Sequence, residues 1–265
     1  MSAERTQISL NMYTVRSSSL PFEGQLDRVR QIGYQSIQGG RIDGISTGEL
    51  KAMLDARDME MSAYSGDLHG IGHDREAFIE ACHTLGCDEI MIGTMPVEFR
   101  ETPEGYMEAI RRINDLGREL SASGIFLSYH NHAQEFRRFR NGKTGMDLLY
   151  ENLDPAAVHF MLDTHWVQAG GGDVLQWMEK CRNRMQYIHV KDYRIGPANY
   201  FTGIGQVDKQ FAQVGEGNLP WPLIIETGLA QGIKAFIVEQ DFPYGEDPFD
   251  CAETSFRNLR NYGLR

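Results

Sequence analysis

Four stretches in the second half of the chain set proton-transferring or metal-binding side chains two residues apart. They are His130 and His132 in YHNHAQEF, Asp163 and His165 in LDTHW, His189 and Lys191 in IHVKDY, and Glu239 and Asp241 in FIVEQD. Each pair ends an apolar run, such as the IFLS that precedes the first. Imidazole and carboxylate groups in that position are costly to dehydrate unless they are paired or bound to a cation. Their mixture of nitrogen and oxygen donors suits a divalent ion such as Mn²⁺, Zn²⁺, Co²⁺ or Fe²⁺. The blander reading of any one of them is structural. A lone strand-end histidine is usually a satisfied core group, and Asp192 and Asp241 would serve equally as caps or turn residues. Glu216, in VGEGNLPW, reads as a loop carboxylate between glycines. Asp163, His189 and Glu239 taken together favour the functional reading, because three separate run ends carry ligand types.

The elements that would hold these groups are short β-like runs alternating with amphipathic stretches. The runs are QISLNMYTV, YQSIQGG, MEMSAYSGDLH, CDEIMIGTM, IFLSYHNH, VHFMLDTHW, MQYIHVKDY and KAFIVEQD. Between them, segments such as REAFIEACHTLG repeat apolar residues at three- and four-residue spacing, one face of a helix. Strand alternating with helix implies a parallel sheet, since parallel neighbours need a long crossover. Eight such units in a chain of 265 residues match a single (β/α)8 TIM barrel over residues 1–265. A doubly wound sheet would carry a glycine-rich phosphate loop, and LNMYTVRSS, GGRIDG and AGGGD lack its spacing. In a barrel, ligands bind at the C-terminal ends of the strands, where the four pairs fall. Alternate strand residues share a face, so each pair is expected to point one way, less surely at the strand tip.

Composition narrows the function further. The formal net charge of −11 argues against a nucleic-acid partner, which needs clustered Lys and Arg. The four cysteines, Cys82, Cys87, Cys181 and Cys251, form no CxxC pair and read as ordinary thiols. The opening MSAERTQISL has no apolar leader core, and no apolar run reaches the ~20 residues of a membrane span. A cytoplasmic protein without a membrane partner is expected.

YHNHAQEF, LDTHWVQAGGGD, IHVKDY, VGEGNLPW and FIVEQD, in that order, resemble the sugar phosphate isomerase/epimerase group of xylose isomerase-like TIM barrels. SLNMYTVR is similar to the group's opening strand. Relatives in that superfamily include ketose 3-epimerases, inosose dehydratases and hydroxypyruvate isomerases. The resemblance implies one metal held by Glu, Asp, His and Glu from the fifth to eighth strands. Asp163, His189 and Glu239 match the last three. The fifth-strand position departs from the pattern, and the first ligand is His130, His132 or Glu135, with His130 placed first. The implied cofactor is a divalent metal, Mn²⁺ foremost, with Zn²⁺, Co²⁺, Fe²⁺ or Mg²⁺ as competitors.

The implied activity is an isomerase or epimerase acting on a keto sugar or polyol through a metal-bound enediolate. Glu239, His132 and Glu135 are the expected acid–base residues. His69, His165, Trp166, Lys191 and Glu216 are the expected substrate-binding residues. One alternative at the same site is a lyase or dehydratase on a 3-keto sugar or inosose. Another is a sugar-binding barrel without catalysis. DNA repair of the endonuclease IV type is disfavoured by the acidic charge. The partners expected are a small-molecule carbohydrate and further copies of the chain, as a dimer or tetramer.

Overall fold

A computed structural model describes residues 7–196 and 209–265. Residues 1–6, most of the segment read for a leader, lie outside the described residues. Eight strands form one all-parallel sheet: β1 (Ile8–Asn11), β2 (Ser36–Gly39), β3 (Glu60–Gly66), β4 (Glu89–Ile92), β5 (Phe126–His130), β6 (Val158–Met161), β7 (Tyr187–Val190) and β10 (Ala235–Val238). Each lies within one of the eight runs named above. The sheet order is β6-β5-β4-β3-β2-β1-β10-β7. It closes between β6 and β7 through a parallel bridge of Asp163 with His189, where the His189 amide donates to the Leu162 carbonyl at 2.8 Å. The barrel seam therefore pairs at two of the residues singled out as ligands. A separate antiparallel pair, β8 (Asp192–Ile195) and β9 (Lys209–Ala212), follows β7.

The strands alternate as a barrel requires. Ile8 and Leu10 of β1, Ile90 and Ile92 of β4, and Val158 and Phe160 of β6 are fully buried in the main apolar cluster. Ala63, Met91, Met161, Tyr187, Ala235 and Ile237 form a second, smaller cluster that fills the barrel between its two polar ends. Helices follow the strands. The longest, α5 (Pro103–Ser121), starts where the Thr102 hydroxyl accepts from the Gly105 amide and Pro103 occupies the first turn. Its Ile110, Ile113, Leu116 and Leu120 are buried on one face, each contributing about 1.5–3 kcal/mol. Gly117 lets this helix come close to the sheet, since a Cβ there would stand 2.7 Å from Val158 Cγ2. Among the described residues no helix is long and apolar enough to cross a membrane.

Candidate metal centre

His130 is the last residue of β5, and Asp163 follows β6 as the N-cap of α7 (Thr164–Ala169). His189 is in β7, and Glu239 follows β10. All four are buried, and one nitrogen or oxygen from each lies within 4.8 Å of the others. Donors on opposite sides of an ion at ~2.0–2.2 Å would be separated by about 4 Å, so small side-chain shifts would bring these four atoms onto one ion.

Hydrogen bonding points the same way. His130 Nδ1, Asp163 Oδ2 and His189 Nδ1 are buried and make no hydrogen bond. His189 Nδ1 stands 2.7 Å from Glu239 Oε2 without hydrogen-bond geometry. Gln38 of β2 explains why. Its Nε2 lies 3.2 Å from Met91 Sδ and 3.4 Å from Met161 Sδ, which turns its Oε1 towards His189 Nε2 at 2.6 Å. His189 Nε2 then carries the proton, and Nδ1 presents a lone pair to the cluster. With Nδ1 bare, these two lone-pair atoms 2.7 Å apart repel unless a cation lies between them.

Charge completes the case. Lys191 Nζ lies 2.9 Å from Glu239 Oε1, 3.0 Å from Asp241 Oδ2 and 3.5 Å from Asp163 Oδ2. Three carboxylates face one ammonium, so the ionised site carries two excess negative charges, which a divalent ion would balance. Burial lowers the Lys191 pKa, but Glu239, Asp163 and Asp241 outweigh it and hold the ammonium above its usual range. Burial would raise Glu239, yet Lys191 keeps its carboxyl well below the ordinary value. Asp163 is pushed up to about 7 by burial, against the pull of Lys191, as expected of a carboxylate short of a counter-charge. Burial, with His189 and His132, drives His130 well below the usual histidine range, so it presents a neutral imidazole.

A cavity of about 840 Å³ opens on this cluster. His130, His132, Glu239, Asp241 and Trp166 line it on one side, together with Phe211 of β9. Asn11, at the end of β1, donates to Glu239 Oε2 at 3.0 Å. The rings of His132 and Trp166 are 5.4 Å apart. Lys191 Nζ stands 5.3 Å from the Trp166 ring centroid.

Of the residues expected from sequence, His130, Asp163, His189 and Glu239 converge, and His132, Trp166 and Lys191 adjoin them. His130, rather than His132 or Glu135, is the fifth-strand member of the cluster. The others are not brought there. Glu135 is buried, accepting from the Tyr129 hydroxyl at 2.8 Å and the His132 amide at 2.7 Å, so it shapes the loop that carries His132. His165 sits in the first turn of α7, which begins right after Asp163, and packs among Trp166, Tyr193 and Phe211. His69 is exposed and bonded to Glu98 at 2.6 Å, beside a separate surface pocket. Glu216 bonds Asn258 of α10 (Pro248–Asn261) at 2.9 Å, outside the cavity. Asp192 is a loop organiser: it accepts from the amides of Gly215 and Gly217 at 3.1 and 3.0 Å. Asp241, equally open to the capping reading, instead reaches Lys191.

Sequence reading gave no role to Asn11 or to Gln38. The signal for Gln38 was an amide inside the run YQSIQGG. Phe211 carried no signal at all.

A profile of the family described as "Xylose isomerase-like TIM barrel" matches residues 26–261. The chain belongs to that family. Its curated relatives include the inosose dehydratase of Salmonella typhimurium, 26% identical over 171 residues, which are 57% of this chain and 53% of that protein. The inosose dehydratase of Geobacillus kaustophilus is 26% identical over 193 residues, 64% of this chain and 61% of that one. The chain thus spans a little over half the length of the curated relatives it matches. Among solved structures, a sugar phosphate isomerase/epimerase from Parabacteroides distasonis superposes with a TM-score of 0.80 at 21% identity, covering 98% of this chain and 95% of that one. An L-ribulose 3-epimerase gives 0.72 at 14%, covering 97% and 94%. At these identities the structural likeness speaks for the fold. The family and the barrel expected from the sequence are both borne out.

Proposed function

We propose that this barrel is a divalent-metal-dependent isomerase or epimerase of a keto sugar or polyol. The observation that carries the reading is the convergence of unbonded, buried donor atoms from His130, Asp163 and His189, together with Glu239, beside a large cavity. These four residues hold the ion, with Mn²⁺ as the first candidate. When bound, it supplies the Lewis acidity that makes the C–H beside a sugar carbonyl removable as a proton. Lys191 holds Glu239 and Asp241 in place and tempers the negative charge.

His132 is the proton carrier in this reading. It lines the cavity, and burial, then Lys191, brings its pKa down to about 4. The ring is therefore neutral and able to take the proton of a C–H that the ion has acidified. Glu239 has both oxygens engaged, by Asn11 and Lys191, which suits a ligand better than a base. Trp166 offers a flat face to the sugar. Return of the proton to the other face gives epimerisation, and return to the neighbouring carbon gives isomerisation.

A second reading, dehydration of a keto sugar or inosose, is supported by the names of the curated relatives. His132 supports it too, since an imidazolium formed there suits delivery of a proton to a departing hydroxyl.

The test begins with elemental analysis of the purified protein. About one equivalent of metal is expected in the wild type and none in Glu239→Gln or His189→Ala. His132→Phe should keep the metal and slow exchange of a keto sugar's α-proton with D₂O by ~10²–10⁴-fold. A wild type that binds no metal after reconstitution with Mn²⁺ would overturn the reading.

A further inference from the structure

The donors of the metal centre divide evenly between nitrogen and oxygen. His130 and His189 offer imidazole, and Asp163 and Glu239 offer carboxylate. The oxygens that could take the place of His130 are committed elsewhere. Glu135, the carboxylate of the same stretch, accepts from the Tyr129 hydroxyl, the Gln134 amide group and the His132 backbone. Asn131, next to His130, accepts the Asp163 amide at 3.0 Å through its Oδ1. Asp241 is held by the Lys191 ammonium at 3.0 Å. The fifth strand therefore presents nitrogen to the cluster, and no nearby oxygen is free to replace it.

The two imidazoles are also set firmly in place. His130 pairs with Met161 across β5 and β6, and the Asn131 bond ties the two strand ends together just beyond. His189 is held by the bridge to Asp163 and by Gln38. The two rings stand 4.5 Å apart. A centre whose donors cannot be exchanged selects ions by donor type. First-row transition ions accept imidazole, with affinity rising from Mn²⁺ towards Cu²⁺. Mg²⁺ prefers oxygen, demands near-octahedral geometry and gives up its water reluctantly. Charge acts in the same direction. Asp163, Glu239 and Asp241 against Lys191 leave two excess negative charges. A neutral ring at position 130 keeps that number, whereas a carboxylate there would make it three and favour a hard ion.

We infer that His130 sets the ion selectivity of this centre: as the second imidazole it admits first-row transition ions such as Mn²⁺ and turns Mg²⁺ away. This rests on the metal-dependent reading above and assigns to one side chain the choice of ion within it. His189 shares the donor type, but its ring is also oriented by Gln38. His130 is the position where donor type can be changed without disturbing that bond.

The experiment titrates the chelator-stripped full chain with Mn²⁺, alone and against Mg²⁺, reading free Mn²⁺ by its EPR signal. In the wild type, Mg²⁺ at about 100-fold excess should displace less than half of the bound Mn²⁺. His130→Glu should lower the ratio of Mn²⁺ to Mg²⁺ affinity by at least ~10-fold. His130→Gln, an uncharged oxygen donor, should lower it in the same direction. Pulsed EPR of the Mn²⁺-bound wild type should show nitrogen couplings from two imidazoles, and from one in either variant. Displacement of most of the Mn²⁺ in the wild type, or coupling to a single imidazole there, would overturn the inference even if neither variant folds. So would a ratio unchanged in His130→Glu. A drop in His130→Glu without one in His130→Gln would assign selectivity to charge and overturn the role given to the imidazole. In each of these cases Mn²⁺ binding by the wild type leaves the metal-dependent reading standing. A wild type that binds neither ion removes that reading and this inference together.

Discussion

At the C-terminal end of the strands, Asp163, Glu239 and Asp241 surround Lys191, and buried donor atoms face a cavity without hydrogen bonds. At the N-terminal end of the same barrel, Glu89 of β4 stands 3.6 Å from His159 of β6, whose ring stacks on Phe126 at 4.5 Å. Both ends bury carboxylates, and the apolar cluster around Met91 and Met161 lies between them. The upper end assembles more charges at one point, a set that a divalent ion would complete. The lower end buries one carboxylate, Glu89, beside one imidazole, with Asp88 and Lys234 paired next to it at 2.9 Å, and the Glu89 carboxyl stays protonated more readily because burial raises its pKa. Burial alone therefore does not mark a site. What distinguishes the upper end is convergence of several lone pairs on one point beside open space.

The largest expected effect comes from removing the cation at the upper end. Lys191→Met leaves Asp163, Glu239 and Asp241 facing one another with no positive group, in a position only 1% exposed. Truncating one partner of a buried ion pair costs about 3–5 kcal/mol. Denaturant melts in the presence of a chelator should show that loss, and saturating Mn²⁺ should recover the greater part of it by linkage. A loss below about 1 kcal/mol would mean that the carboxylates are not ionised together, and the contrast between the two ends would collapse.

A smaller effect is expected one contact out from the ligands. Gln38→Leu keeps the shape of the side chain and removes the acceptor that fixes the His189 ring. Outer partners of this kind typically change metal affinity by ~10–100-fold. Competition with a metal-sensitive dye should show weaker Mn²⁺ binding by that factor while the melting temperature of the chelated protein moves little. Unchanged affinity would show that the seam between β6 and β7 orients His189 by itself.

The barrel was legible in the sequence because period-two runs and helical spacing are local properties. The same holds for Asp163, His189 and Glu239, whose types and positions at run ends reveal themselves without knowledge of the fold. The bonds that organise them are not local. Gln38 meets His189 across 151 positions and Asn11 meets Glu239 across 228, so neither role shows in any short window. His165 is a different case. Two-residue alternation would aim it beside Asp163, but the chain turns helical at Thr164, and alternation ends where the strand does. Glu135 was an acid–base candidate on chemistry alone; a tyrosine six residues back and the amide of His132 hold it.

The smallest effect belongs to the lower end and has a definite sign. Neither oxygen of Glu89 makes a hydrogen bond, and burial raises its pKa, with His159 and Ser128 pulling it back only in part. The folded state thus holds a proton that the unfolded chain releases near pH ~4.3. By linkage, the stability Glu89 contributes is fully present below that pH and is lost as pH rises through its folded value. Glu89→Gln copies the protonated form and cannot lose a proton. Urea midpoints measured from about pH 5 to pH 8 should fall less steeply in the variant, with the difference widening in its favour as pH rises. Parallel curves would mean that Glu89 ionises alike in both states and pairs with His159 as a charge. The lower end would then be a weaker copy of the upper one, and the four-fold convergence, not ionisation, would be the sole difference between them.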